Sequence, residues 1–137
     1  MYKNILVPVA FVDGNEAKIK GATEIAQALA EEGAKITFLH VMEQIPGYAV
    51  SYLPADYSNQ VRKAIEDEVA GLADNIDGAQ GLVVEGHSGR TILDWAEENN
   101  VDLIVIASHR PGMQDLLLGS TASQVVRHAA CGVHVLR

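Results

Sequence analysis

The sequence predicts an α/β protein: a parallel sheet covered by helices on both faces. Three observations point there. Residues 4–10, 35–42 and 103–107 are short β-branched runs with almost no polar alternation, the pattern of strands buried on both faces. Between them lie segments with apolar residues at helical spacing, so the order reads β-α-β-α-β-α-β-α-β, which requires right-handed crossovers and hence a parallel sheet. Finally, 137 residues that are 48% hydrophobic suffice for one domain, 1–137, with its own core.

Taken in order, residues 4–10 form the first strand, with Pro8 near its end because proline cannot donate to a ladder. Asp13, Gly14, Asn15 and Glu16 resemble a capping box in which Asp13 is the N-cap and Glu16 reaches back. The helix that follows places Ile19, Ala22, Ile25, Ala26 and Leu29 on one face, and Gly33 is its expected C′ stop. Residues 35–42 are the second strand. Residues 43–58 read as a long connection rich in Pro, Gly and Tyr, with room for a short helix. From about Asp56 a second helix carries Val61, Ile65, Val69, Leu72 and Ile76 inward and Arg62, Lys63, Glu66 and Asp67 outward, closing at Asp77-Gly78.

Residues 81–85 give a third, shorter strand. The turn Gly86-His87-Ser88-Gly89 opens a helix with Ile92, Leu93, Trp95 and Ala96, which Asn99-Asn100 ends. Core packing explains Trp95. The fourth strand spans 103–107, a helix starts at Gly119-Ser120 and runs to near Ala130, and the last strand is 133–136.

Composition excludes several roles. A formal net charge of −8 argues against nonspecific nucleic-acid binding, which needs clustered cations. No apolar stretch is long enough to span a bilayer, and the N-terminus lacks a signal-peptide pattern. Cys131 is the single cysteine, which excludes an internal disulfide; a buried structural thiol is its default role. A cytoplasmic location is expected. His87, His128 and His134 lack metal-ligand spacing.

The chemistry is expected between residues 101 and 137. The run Leu103-Ile104-Val105-Ile106-Ala107 stops at Ser108-His109-Arg110, a loop with Pro111 and Gly112 follows, and Gly119-Ser120 opens a helix. A helix N-terminus offers free N–H groups and the positive end of the helix dipole, suited to a phosphate. The same pattern also describes an ordinary strand-to-helix connection with a serine cap. In open parallel sheets, ligands bind past the carboxyl ends of the strands where strand order reverses. With strands one and four adjacent there, the crevice is lined by Pro8, Val9, Ala10 and Phe11, by Val41 and Met42, and by Ala107 to Arg110.

Ile5-Leu6-Val7-Pro8-Val9, Leu39-His40-Val41, Gly86, and the C-terminal run of Asp102 to Arg110, Leu117-Leu118-Gly119-Ser120 and Val125 to Cys131 together resemble a universal stress protein over essentially the whole chain. The small members with an Ala-Ser-His-Arg-Pro loop are the most similar in pattern. The resemblance implies a three-layer α/β/α fold of the adenine nucleotide alpha hydrolase-like kind, strand order 3-2-1-4-5, and homodimers through the last strand, Val133 to Leu136. It also implies an adenine-nucleotide site. Its residues here are Pro8, Val9 and Ala10, Val41 (whose backbone reads adenine), Ile106, Ala107, Ser108, His109 and Arg110, and Gly119, Ser120 and Thr121.

The family's nucleotide-binding branch carries G-x2-G-x9-G-[ST], in which glycines let phosphates approach the backbone. This chain has Ala107 and Arg110 at the first two glycine positions, a spacer one residue shorter, and an intact Gly119-Ser120. Arg110 either grips phosphate with its guanidinium or pairs on the surface with a carboxylate such as Asp115. Ala10 stands where the family commonly has an acidic residue; Asp13 is close by.

Ser108 and His109 are adjacent, which rarely lets two side chains act as nucleophile and base, and no orienting carboxylate is evident. The sequence shows no general base or metal carboxylate of the usual kind, so slow ATP hydrolysis is the outer bound on catalysis. The expected function is regulatory binding of ATP, with or without magnesium, or of a related adenine nucleotide. The alternative is a dimeric interaction module that binds no nucleotide.

Overall fold

Strands with apolar residues on both faces require cover on both faces, and the computed structural model provides it. It describes residues 1–11, 15–43, 46–108 and 119–137. Strands β1 (Tyr2–Pro8), β2 (Ala30–Met42), β3 (Ala79–Glu85), β4 (Leu103–Ala107) and β5 (Gly132–Leu136) form one sheet of order β3-β2-β1-β4-β5. Every pairing is parallel. The helices are α1 (Glu16–Leu29), α2 (Gly47–Val50), α3 (Tyr57–Ala73), α4 (Ser88–Glu98) and α5 (Ser120–His128).

Alternation along the strands splits the core in two. Ile5, Val7, Ile36, Phe38, Leu103 and Val105 pack against Ala22 and Ala26 of α1 and Val69 of α3. Leu6, Leu39, Ile104 and Ile106 pack against Ile92 and Ala96 of α4 and Ala122 and Val125 of α5. Ile19, Ile25 and Leu29 flank the first cluster, while Leu93 and Trp95 are half-buried against the second, as their spacing predicts. Cys131 is half-buried beside the second cluster. Burial, reinforced by the charge of Asp102 and opposed by a backbone hydrogen bond, pushes its thiol above the ordinary range. The shift favours the protonated thiol at neutral pH.

The two central strands are fastened at their starts. The Asp102 carboxylate accepts from the backbone N–H groups of Lys3 (2.8 Å) and Asn4 (3.0 Å). Asp102 N–H donates to the Asn4 carbonyl at 2.9 Å, and Asn4 Nδ2 donates to the Asn99 carbonyl at 2.7 Å. These bonds fix where β4 begins against β1.

Several boundaries differ from the sequence reading. Helix α1 begins after Asn15, which occupies the N-cap position without a side-chain capping bond; Asp13 and Gly14 lie outside the described residues. Gly33 does not end α1, which stops at Leu29 and continues directly into β2. Its φ of +80° instead serves a β2 irregularity, where Tyr2 faces Ala30 but Asn4 faces Lys35. Helix α3 ends at Ala73, and positive φ at Asn75 and Gly78 turns the chain into β3, so Ile76 lies past the helix. Within the long connection, α2 is a single turn.

Arg62, expected on the solvated face, reaches the sheet edge. Its Nη2 donates to the Val83 carbonyl at 3.0 Å, with Glu66 and Glu85 holding the guanidinium.

Helix α3 lies directly on β3 because Gly81 has no side chain. A Cβ there would stand 2.5 Å from the Val69 carbonyl oxygen and 2.6 Å from its carbon. Gly81→Ala is expected to destabilise the fold by about 1–3 kcal/mol, as overpacking against a rigid backbone does. A lower urea midpoint at unchanged slope is the measurement that checks it; an unchanged midpoint contradicts the close approach.

Candidate nucleotide-type site at the strand-order reversal

Strands β1 and β4 are in register only over Ile5↔Leu103 and Leu6↔Ile104. The chain leaving β1 leads to α1 on one face of the sheet, and α5, which follows β4, packs on the other. A crevice opens between these exits. It encloses about 270 Å³, near the lower end of small-molecule sites.

Each wall comes from a different element. Pro8 ends β1 and Val9 and Ala10 follow it; Leu39, His40 and Val41 come from β2; Ile106 and Ala107 come from β4. Gly119, Ser120 and Thr121 open α5, and Asn15, Lys18 and Ile19 belong to the start of α1. Among the described residues of the lining there is one lysine or arginine, Lys18, and no aspartate or glutamate. In a chain of net charge −8, the described wall is thus neutral to positive.

Past Leu39 the β2 backbone has no β1 partner among the described residues. Val9 N–H donates to the Leu39 carbonyl at 2.9 Å, so Leu39 faces β1 and, by alternation, so does Val41. The β1 register ends at Pro8↔Leu39, which leaves the Val41 main chain past the last paired residue of β1. His40 Nδ1–H donates to the Val9 carbonyl at 2.9 Å. A carbonyl only accepts, so this bond selects the Nδ1–H tautomer. Phe11 packs its ring 5.4 Å from that of His40.

At the opposite end, Ser108 is buried and joins three elements. Its Oγ accepts from Gly119 N–H at 3.0 Å, and its carbonyl accepts from Lys18 Nζ at 2.6 Å. One of the amides expected to hold phosphate is therefore already engaged within the protein. Gly119, not Ser120, is the N-cap, and no side-chain bond caps α5. Thr121 Oγ1 lies 2.8 Å from Ser88 Oγ and links α5 to α4.

The sequence-predicted residues sort as follows. Pro8, Val9, Ala10, Val41, Ile106, Ala107, Gly119, Ser120 and Thr121 converge on the cavity. Ser108 stands behind the lining, while Phe11 and Met42 pack with the α1–α3 side of the core. His109 and Arg110 lie outside the described residues. Sequence reading missed Asn15, Lys18, Ser88 and the His40 bond. Their signal lies in contacts across 31 to 90 residues, except Asn15, whose Nδ2 donates to the Ala10 carbonyl at 2.6 Å. Among the described residues, no three His, Cys, Asp or Glu side chains come together to hold a metal ion, and no helix is long and apolar enough to cross a membrane.

Fold and crevice together define an α/β protein of the adenine nucleotide alpha hydrolase-like kind. The universal stress protein family model matches residues 1–137, and the chain belongs to that family. It is 33% identical over 145 residues to universal stress protein A homolog 2 of Coxiella burnetii, covering 99% of this chain and 95% of the relative. Universal stress protein UspA from Lactobacillus plantarum superposes with a TM-score of 0.71 at 29% identity, covering 99% and 98% of the two chains. A universal stress protein solved in complex with cAMP superposes with a TM-score of 0.62 at 20% identity, covering 99% and 97%.

Ser108→Ala is expected to leave the buried Gly119 N–H without its acceptor and to cost about 1–3 kcal/mol. Chemical denaturation measures the loss; a stability equal to wild type would mean that the bond carries no weight.

Proposed function

We propose that the crevice holds ATP or a related adenine nucleotide as a regulatory ligand, in a cytoplasmic stress-response protein. The observation that carries this reading is the cavity's place at the strand-order reversal, against the N-terminus of α5 and with no carboxylate in its described lining. The cAMP complex of a protein with the same fold supports the ligand class. In this reading the open main chain of Val41 meets the base, while Ser120, Thr121 and the α5 dipole meet phosphate. Ala107 and Arg110 put side chains at glycine positions of the family pattern, which hinders close approach of phosphate to the backbone there, and Gly119 N–H is held by Ser108. The described lining offers no carboxylate for magnesium; the ion enters on the nucleotide's own phosphates.

Isothermal calorimetry with Mg-ATP tests the reading. Heat of binding is expected, and no heat together with no thermal shift at millimolar nucleotide overturns it in favour of a module that binds no nucleotide. Gly119 has φ −64° and ψ 160°, which any residue adopts, but it is buried, so a thermal melt must accompany the titration of Gly119→Val to show that the variant is folded. It should weaken ATP roughly tenfold by crowding the α5 N-terminus, on the scale of one lost charged hydrogen bond.

We further propose a homodimer through β5. Ser108 N–H donates to the Leu136 carbonyl, so Leu136, His134 and Gly132 face β4, and Val133 and Val135 turn their backbone groups to the free edge. Twofold antiparallel pairing of two such edges closes the assembly. Val135→Pro removes an outward N–H while sparing the β4 ladder. Light scattering is expected to show a wild-type dimer and a folded Val135→Pro monomer; a monomeric wild type overturns the assignment.

A further inference from the structure

The first turn of α1 supplies two polar groups to the cavity that the family pattern does not require. Lys18 is half-buried, and its ammonium spans from α1 to the Ser108 carbonyl at 2.6 Å. That bond uses one of its three N–H donors and leaves two. Ser108 is also the residue that holds Gly119 N–H, so the ammonium is one residue's width from the N-terminus of α5. Two positive ends, one a full charge and one a helix dipole, thus converge on a single side of the cavity. Burial reduces the screening of that charge.

The second observation lies one turn earlier on the same face. Asn15 is 4% exposed. Its Nδ2 is fixed by the Ala10 carbonyl, which only accepts, so its Oδ1 is set as an acceptor. That Oδ1 is buried with no partner among the described residues, and Asn15 forms part of the cavity wall. Buried acceptors are rarely left unpaired. An acceptor kept open beside an ammonium suits a ligand that carries both hydroxyl or amino donors and phosphate oxygens.

We infer that Lys18 is the residue through which this cavity reads the phosphate charge of its ligand, with Asn15 Oδ1 accepting from the nucleoside beside it. The inference rests on the nucleotide reading above and adds a residue from α1 to a site otherwise built on the strand ends and α5. It also gives the chain a cation inside the described wall, independent of Arg110. When phosphate is bound, the two spare ammonium donors point to it while the third keeps its hold on Ser108.

The test is calorimetric titration of the full chain with adenosine and with ATP, for wild type, Lys18→Met and Lys18→Gln. The glutamine keeps a donor for the Ser108 carbonyl but no charge, which covers the case in which the methionine variant fails to fold. Wild type is expected to bind ATP more tightly than adenosine, with ATP affinity falling as salt rises. Both variants are expected to lose roughly 10-fold to 100-fold in ATP affinity, the scale of a charged hydrogen bond. Adenosine affinity should stay within about twofold and the salt dependence should shrink, as the loss of one phosphate-facing charge requires. Variants that bind ATP like wild type, or that lose adenosine and ATP equally, overturn the role of Lys18 while the nucleotide reading stands. A wild type that binds neither ligand overturns both.

Discussion

The pairing of β1 with β4 is the constraint on which the rest of the molecule depends. These strands are far apart in sequence and meet in the middle of the sheet, where each must be apolar on both sides. Apolar contacts do not by themselves set register. The Asp102 carboxylate does so by accepting from two successive N–H groups at the start of β1, where a one-residue slip would exchange the two core faces. With the starts fastened, the ends are free to part, and the crevice exists because they do.

Around that crevice, backbone groups at strand and helix ends that have no ladder or helix partner are met by side chains. His40 takes the Val9 carbonyl, Asn15 takes the Ala10 carbonyl, and Ser108 takes Gly119 N–H. Each substitution keeps the wall open without stranding those groups. Rigidity and openness therefore have a common origin. The bonds that hold the walls apart also orient the polar groups lining them.

The fold was legible because its signal is local. Unbroken apolar runs and helical spacing are properties of neighbouring residues, and all five strands fall where they predict. Boundaries failed where a glycine has two uses. Gly33 has the left-handed conformation of a helix stop, but α1 ends four residues earlier and the positive φ serves the irregularity in β2. Gly78 likewise belongs to a turn after α3. Within the site, strand-end and helix-start residues were readable from the α/β pattern and the family resemblance. Lys18 was not, since its partner is 90 residues away, and on a helical wheel it is one more surface lysine. Arg62 keeps its place on the solvated side, but its bond to Val83, 21 residues on, is not visible in helical spacing.

Arg62 has a wider consequence. The outward carbonyl of Val83 on β3 is occupied by its guanidinium, and β5 is the strand at the other end of the sheet. The β3 border is therefore plugged at that carbonyl by a charged side chain. Head-to-tail addition of copies, β5 of one onto β3 of the next, would meet a charged side chain where it needs a backbone acceptor. A strand from another chain pairing there would first have to displace the arginine, a residue outside the crevice lining.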